Sequence, residues 1–145
     1  MNNKKVIDPF SKRRLAFADI YDGVHKYPVW TMLAWQDIRQ RYRRSVLGPL
    51  WITLTMLVTI AGMGPLYAAL LKISARDFIP YLALGIIAWA FISSMILDGC
   101  ITFTAADSMI RSVRLPFSMY AFRMISRNLL IFFHNILAYI PFAIY

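Results

Sequence analysis

The chain has few residues on which chemistry could be built. Its single cysteine, Cys100, excludes an internal disulfide framework and any cysteine-rich metal site. Its two histidines, His25 and His134, lie far apart with no ligand spacing around them. There is no G-x-x-x-x-G-K-S/T phosphate loop, no H-E-x-x-H and no G-x-S-x-G elbow. Acid is scarce, with 7 Asp+Glu against 16 Lys+Arg and a formal charge of +9. Asp98 and Asp107 read as a helix end and a surface ion pair, not as a catalytic dyad. The sequence therefore predicts no catalytic residue, no metal and no cofactor. The first 29 residues lack a compact apolar stretch followed by small residues, so no cleavable signal peptide is expected. The first true span would then serve as an uncleaved anchor.

Apolar residues dominate what is present. The chain is 59% hydrophobic, against about 45–50% in an ordinary soluble domain, and its mean hydropathy is +0.55. Ile52 to Leu71 run for twenty positions without a charge, directly after Arg39-Gln-Arg41-Tyr-Arg43-Arg44. Twenty apolar residues in a helix rise about 30 Å, the thickness of a bilayer's hydrocarbon core. A cluster of arginines beside such a span marks its cytoplasmic end. High positive charge beside apolar spans favours anionic lipid headgroups over nucleic acid as the counter-charge.

The pattern divides the chain. Residues 1–28 read as a basic cytoplasmic tail carrying Lys4, Lys5, Lys12, Arg13 and Arg14, with a short helix from Leu15 to Val24. Residues 29–46 read as an amphipathic interface helix, with Trp30, Leu33, Ala34 and Ile38 on one face and basic and amide residues on the rest. Such a helix favours the headgroup plane, the alternative being a helix packed on a partner. Spans are expected at about 50–71, 78–97 and 118–145. Gly62-Met-Gly64-Pro65 should kink the first or pack it closely through small residues. Trp89 and Phe91 fall inside the second, as packing or as stacking surfaces for sugar. Asp98-Gly99 should end the second span, and residues 98–116 should form a surface segment with an Asp107–Arg111 pair. In the third span Arg123 and Arg127 should snorkel, and His134 with Asn135 implies a helix–helix hydrogen bond or a watery path. Residues 1–46 carry ten Lys+Arg, the 72–77 turn two and residues 98–128 four. That asymmetry puts the N-terminus and segment 98–116 on the cytoplasmic side. The fold expected is an all-α membrane protein, with an interface helix followed by three transmembrane helices.

Arg41-Tyr-Arg-Arg-Ser45-Val-Leu-Gly-Pro-Leu-Trp51, following Trp-Gln-Asp-Ile, resembles the start of the membrane-spanning subunit of polysaccharide ABC exporters. These are the ABC-2 type permeases that export O-antigen, capsule and teichoic acid chains. Tyr81-Leu-Ala-Leu-Gly85-Ile-Ile-Ala-Trp89 and Ser108-Met-Ile-Arg-Ser-Val-Arg-Leu-Pro116 extend the resemblance, which covers about residues 30–145. It implies half of a six-helix permease, incomplete at the C-terminus, that works as a homodimer in the bacterial inner membrane. It implies a separate ATP-binding subunit that carries out the hydrolysis, so this chain would not be an enzyme. Asp107, Ile110, Arg111, Val113 and Arg114 match the cytoplasmic segment that receives that subunit's motion. Trp30, Trp35, Arg39, Arg43 and Arg44 match the interface helix. Tyr67, Tyr81 and Trp89 are candidates for the pathway of a lipid-linked glycan. Two other classes compete. A non-transporting membrane anchor would recruit a soluble partner through its basic N-terminal region. A membrane enzyme acting on lipid-linked sugars would need a carboxylate or histidine cluster at one interface.

Overall fold

A computed structural model describes residues 9–144, with the side chains of residues 12–143. Lys4, Lys5 and the expected end of the third span at Tyr145 lie outside the described residues. Those residues form six helices and no strand: α1 (Pro9–His25), α2 (Tyr27–Arg41), α3 (Leu50–Leu71), α4 (Ala75–Ala105), α5 (Asp107–Ser112) and α6 (Phe117–Ile144).

Two stretches are long and apolar enough to cross a membrane: α3, and residues 75–112, which comprise α4 and α5. The 22 residues of α3 rise about 33 Å. Only 17% of the most apolar window of each stretch is buried within the protein. Neither is mostly covered by the rest of the chain, as the core helix of a soluble domain is. Val58, Leu66 and Leu70 on α3 and Trp89 and Leu97 on α4 stand exposed, and so large an apolar surface needs lipid or protein against it.

The residues expected to form a third span make the 28-residue α6, which is not among the stretches long and apolar enough to cross a membrane. Arg123, Arg127, Asn128, His134 and Asn135 put a polar stripe along it. The expected break at Asp98-Gly99 is absent. Instead α4 runs on for seven more residues' length to Ala105, because Asp98 is held by side chains of α6 rather than by water. Only Asp107–Ser112 of segment 98–116 forms a helix of its own. The short helix expected over Leu15–Val24 is the centre of the longer α1.

Two cores hold the helices. One lies along α3 and α4, where Ile60, Ile79, Ala83 and Ile87 are buried and Phe132 and Tyr139 of α6 pack against them. Pro65 sits inside α3 without ending it. Gly64 is buried, and a Cβ there would lie 2.8 Å from Ile79 Cγ1. Close packing through a small residue is what this motif provides. Lys72 then closes α3 in the left-handed conformation, and its N–H and that of Ile73 reach back to Ala68 and Ala69 carbonyls. The second core lies at the other end, where Ala106, Met119 and Tyr120 gather Trp30, Leu33, Ile110 and Leu115 around them. There α1, α2 and α5 pack on the start of α6.

Candidate functional site

The apolar face expected to lie in the headgroup plane is occupied. Ala34 and Ile38 of α2 are fully buried, and α2 packs along α6. Trp30 is half-buried between α1 and α6. Its Nε1 donates to the Gly23 carbonyl at 3.2 Å, and its ring lies 5.8 Å from that of Phe122. The partner-packed alternative describes this face, with the chain's own α6 as the partner. Trp35, Arg39, Arg43 and Arg44 remain exposed on the outer side.

The same packing brings Asp37 of α2 against α6. Arg123 grips it with both Nε and Nη2, the Nε contact being 2.9 Å. Arg127, one turn further along, reaches Asp37 Oδ2 at 3.5 Å with one terminal nitrogen and Asp98 Oδ2 of α4 at 2.7 Å with the other. Asn128 adds a second donor to Asp98 at 3.0 Å. Two carboxylates and two guanidiniums from three helices thus form one ion-pair network, hydrogen-bonded at Arg123–Asp37 and Arg127–Asp98 and joined by the longer Arg127–Asp37 contact. These arginines do not snorkel; they face inward. Sequence reasoning missed the junction because Asp37 and Arg123 are 86 residues apart, and only the fourfold spacing of the two arginines hinted at a shared face.

A narrow cleft of about 110 Å³ opens on one side of this junction, lined by Asp98, Thr102, Tyr120, Arg123 and Arg127. A second, of about 220 Å³, opens on the other and is lined by Arg41, Phe91, Ser94, Asp98, Asn128 and Asn135. Tyr120 Oη, Arg127 Nε and Asn128 Oδ1 are buried without a hydrogen-bond partner. His134 Nδ1 lies 2.8 Å from the Leu130 carbonyl of its own helix, which makes it the donor. The link across helices comes instead from Thr53 of α3, whose hydroxyl donates to the His134 carbonyl at 3.0 Å. Both carboxylates are engaged by arginine, so this arrangement binds the three helices together.

The segment expected to meet an ATP-binding subunit is exposed. Asp107 and Arg111 pair at 2.8 Å on the outside of α5. Val113 and Arg114 are exposed and Ile110 is partly buried. With Asp19 and Asp22 of α1, Lys26 of the turn after it and Phe117 of α6, these three line a groove of about 460 Å³. Asp19 fixes the groove's wall by capping α6. Its carboxylate accepts the Phe117 N–H at 2.9 Å and the Ser118 N–H at 2.8 Å, and the Ser118 hydroxyl donates to its carbonyl at 2.7 Å. Burial pushes the Asp19 carboxyl up, but the hydrogen bonds from Ser118 and Phe117 outweigh it and hold the pKa below the ordinary 3.8. Asp19 is a further residue with no signal in the sequence.

The three pathway candidates are all exposed: Tyr67 near the end of α3, Tyr81 near the start of α4, and Trp89 on α4. Tyr67 and Tyr81 flank the same turn, while Trp89 lies two turns further along α4. No family model matches the chain, and neither does any curated protein or solved structure.

Proposed function

We propose that the chain is the membrane-spanning permease subunit, or its N-terminal half, of an ATP-driven exporter of lipid-linked polysaccharide in the bacterial inner membrane. In this reading α3, α4 and α6 cross the bilayer with the N-terminus inside. The permease pairs with a second copy, and a separate ATP-binding subunit docks over α5 and α1. The observation that carries the reading is the Arg41–Trp51 block, followed by two helices of spanning length and a short exposed helix. The packing of α2 on α6 supports it further, because motion received at α5 would reach α2 through one shared core.

The test is made at Val113, whose exposed side chain lies outside the buried cores. In a preparation with the ATP-binding subunit, Val113→Asp is expected to lower permease-dependent ATP hydrolysis about tenfold or more, since an unpaired charge would enter the interface. The circular dichroism of the purified chain should not change. Unchanged hydrolysis and export with the variant in place contradict the assignment.

The anchor reading has one observation of its own. Arg39, Arg43 and Arg44 stand exposed without carboxylate partners among the described residues. It requires that α3 and α4 can be exchanged for other apolar helices without loss of function, which the exporter reading forbids.

A further inference from the structure

Four arginines fall within six residues at the end of α2, and the structure removes the one acid that would have neutralised them. Asp37 is the only carboxylate between residues 23 and 76. It faces α6 and is held by Arg123 and Arg127. Among the described residues no carboxylate pairs with Arg39, Arg41, Arg43 or Arg44. Two of them are not merely on a convex surface. Arg39, in the last turn of α2, and Arg43, in the turn just beyond it, line a groove of about 540 Å³ together with Gln36, Gln40, Tyr42 and Ser45. Its floor is the turn that leads into α3. Guanidinium, amide and hydroxyl groups converge there, so the groove is rich in hydrogen-bond donors and contains no acid. Exposed Val46 and Leu47 give it an apolar rim, and Leu50 and Trp51, exposed at the start of the first spanning-length helix, follow directly in the chain.

We infer that this groove binds the phosphate headgroup of an anionic glycerophospholipid. The inference rests on the membrane reading given above. Arginine presents a planar fork that matches phosphate oxygens, and two forks lining one groove can hold one phosphodiester from two sides. The exposed rim lies where acyl chains would continue from a headgroup seated in the groove. Withdrawal of Asp37 gives the ion-pair junction a second consequence. The same contact that docks α2 on α6 leaves the outer side of α2 purely cationic.

The whole chain, carrying Trp89→Phe to remove the mid-helix fluorophore, is reconstituted in phosphatidylcholine vesicles. Quenching of the exposed Trp35 and Trp51 by brominated phosphatidylglycerol is then compared with quenching by brominated phosphatidylcholine. The expected ratio of association constants is about fivefold or more in favour of phosphatidylglycerol. It should fall to about one in Arg39→Gln/Arg43→Gln and persist in Arg13→Gln/Arg14→Gln, which removes the same charge from α1. Persistence in the first variant, or equal loss in the second, overturns the site in favour of diffuse attraction. Weakening of the preference by inorganic phosphate, relative to chloride at equal ionic strength, supports a phosphate-binding groove, whereas Arg39- and Arg43-dependent binding of inorganic phosphate without any lipid preference assigns the groove to free phosphate and overturns the headgroup claim. Equal quenching by both lipids counts against the site alone, whereas no quenching by either counts against the membrane reading beneath it.

Discussion

Asp37 ties three helices together through two arginines. Replacing it with alanine leaves Arg123 in a partly buried space with only the weakly accepting Met109 sulfur at 3.8 Å, while Arg127 keeps Asp98. The expected cost is about 2–3 kcal/mol, less than for a fully buried pair because these side chains keep some exposure. Asp98→Ala should cost a similar amount, and the two losses should not add, since both carboxylates act through Arg127. Unfolding in mixed micelles measures both, and strict additivity would show that the junction does not act as a unit. Asp19 makes a different prediction. Its folded pKa lies below 3.8, so its contribution is complete above the unfolded value and is lost as the pH falls through the folded one. Protection of the Phe117 and Ser118 amides, measured against the intrinsic exchange rate at each pH, should therefore fall below about pH 4, and Asp19→Ala should abolish that loss at a cost of about 1 kcal/mol. Protection that stays constant through this range would contradict the cap. Neither residue was legible in the sequence, because both partners lie more than eighty residues away. The Asp107–Arg111 pair was legible, because both of its members lie on one turn of helix.

At the scale of elements, apolar length was legible and polar pairing was not. The stretch that carries no charge is the stretch that forms α3, because nothing within it prefers water and Pro65 is tolerated where the helix packs on α4. The end of α4 was misplaced for the opposite reason. An aspartate beside a glycine is a stop signal in water, but Asp98 has Arg127 and Asn128 as partners, and the helix continues past it. The faces of α2 were read correctly as apolar and basic, yet the periodicity could not say whether lipid or α6 covers the apolar one. Close approach at Gly64 gives the elements their own test. Gly64→Ala should cost about 1–3 kcal/mol through the clash with Ile79, and should be nearly neutral once Ile79→Ala has cleared the space. Gly62→Ala meets open space and should have little effect. A Gly64→Ala variant no less stable than Gly62→Ala would show that helix propensity, which favours alanine, and not the α3–α4 contact, governs both.

The molecule as a whole has two unlike ends. One is built from α1, α2, α5 and the start of α6, and carries most of the charge and the Tyr120 core. The other is the turn between α3 and α4, with Lys72, Arg76 and Asp77. Between them lie two apolar helices that the protein does not cover itself. The polar stripe of α6 faces this assembly and does not mark α6 as a surface helix, so the exporter reading requires all three long helices to cross. The decisive measurement is cysteine labelling with a membrane-impermeant maleimide in sealed, right-side-out cells, using Cys100→Ser as the background. Ser74→Cys should label from outside, Ser112→Cys only after the membrane is opened, and Ala143→Cys from outside. Labelling of positions 74 and 112 from the same side, or of position 143 only from within, would contradict a three-span chain with its N-terminus in the cytoplasm.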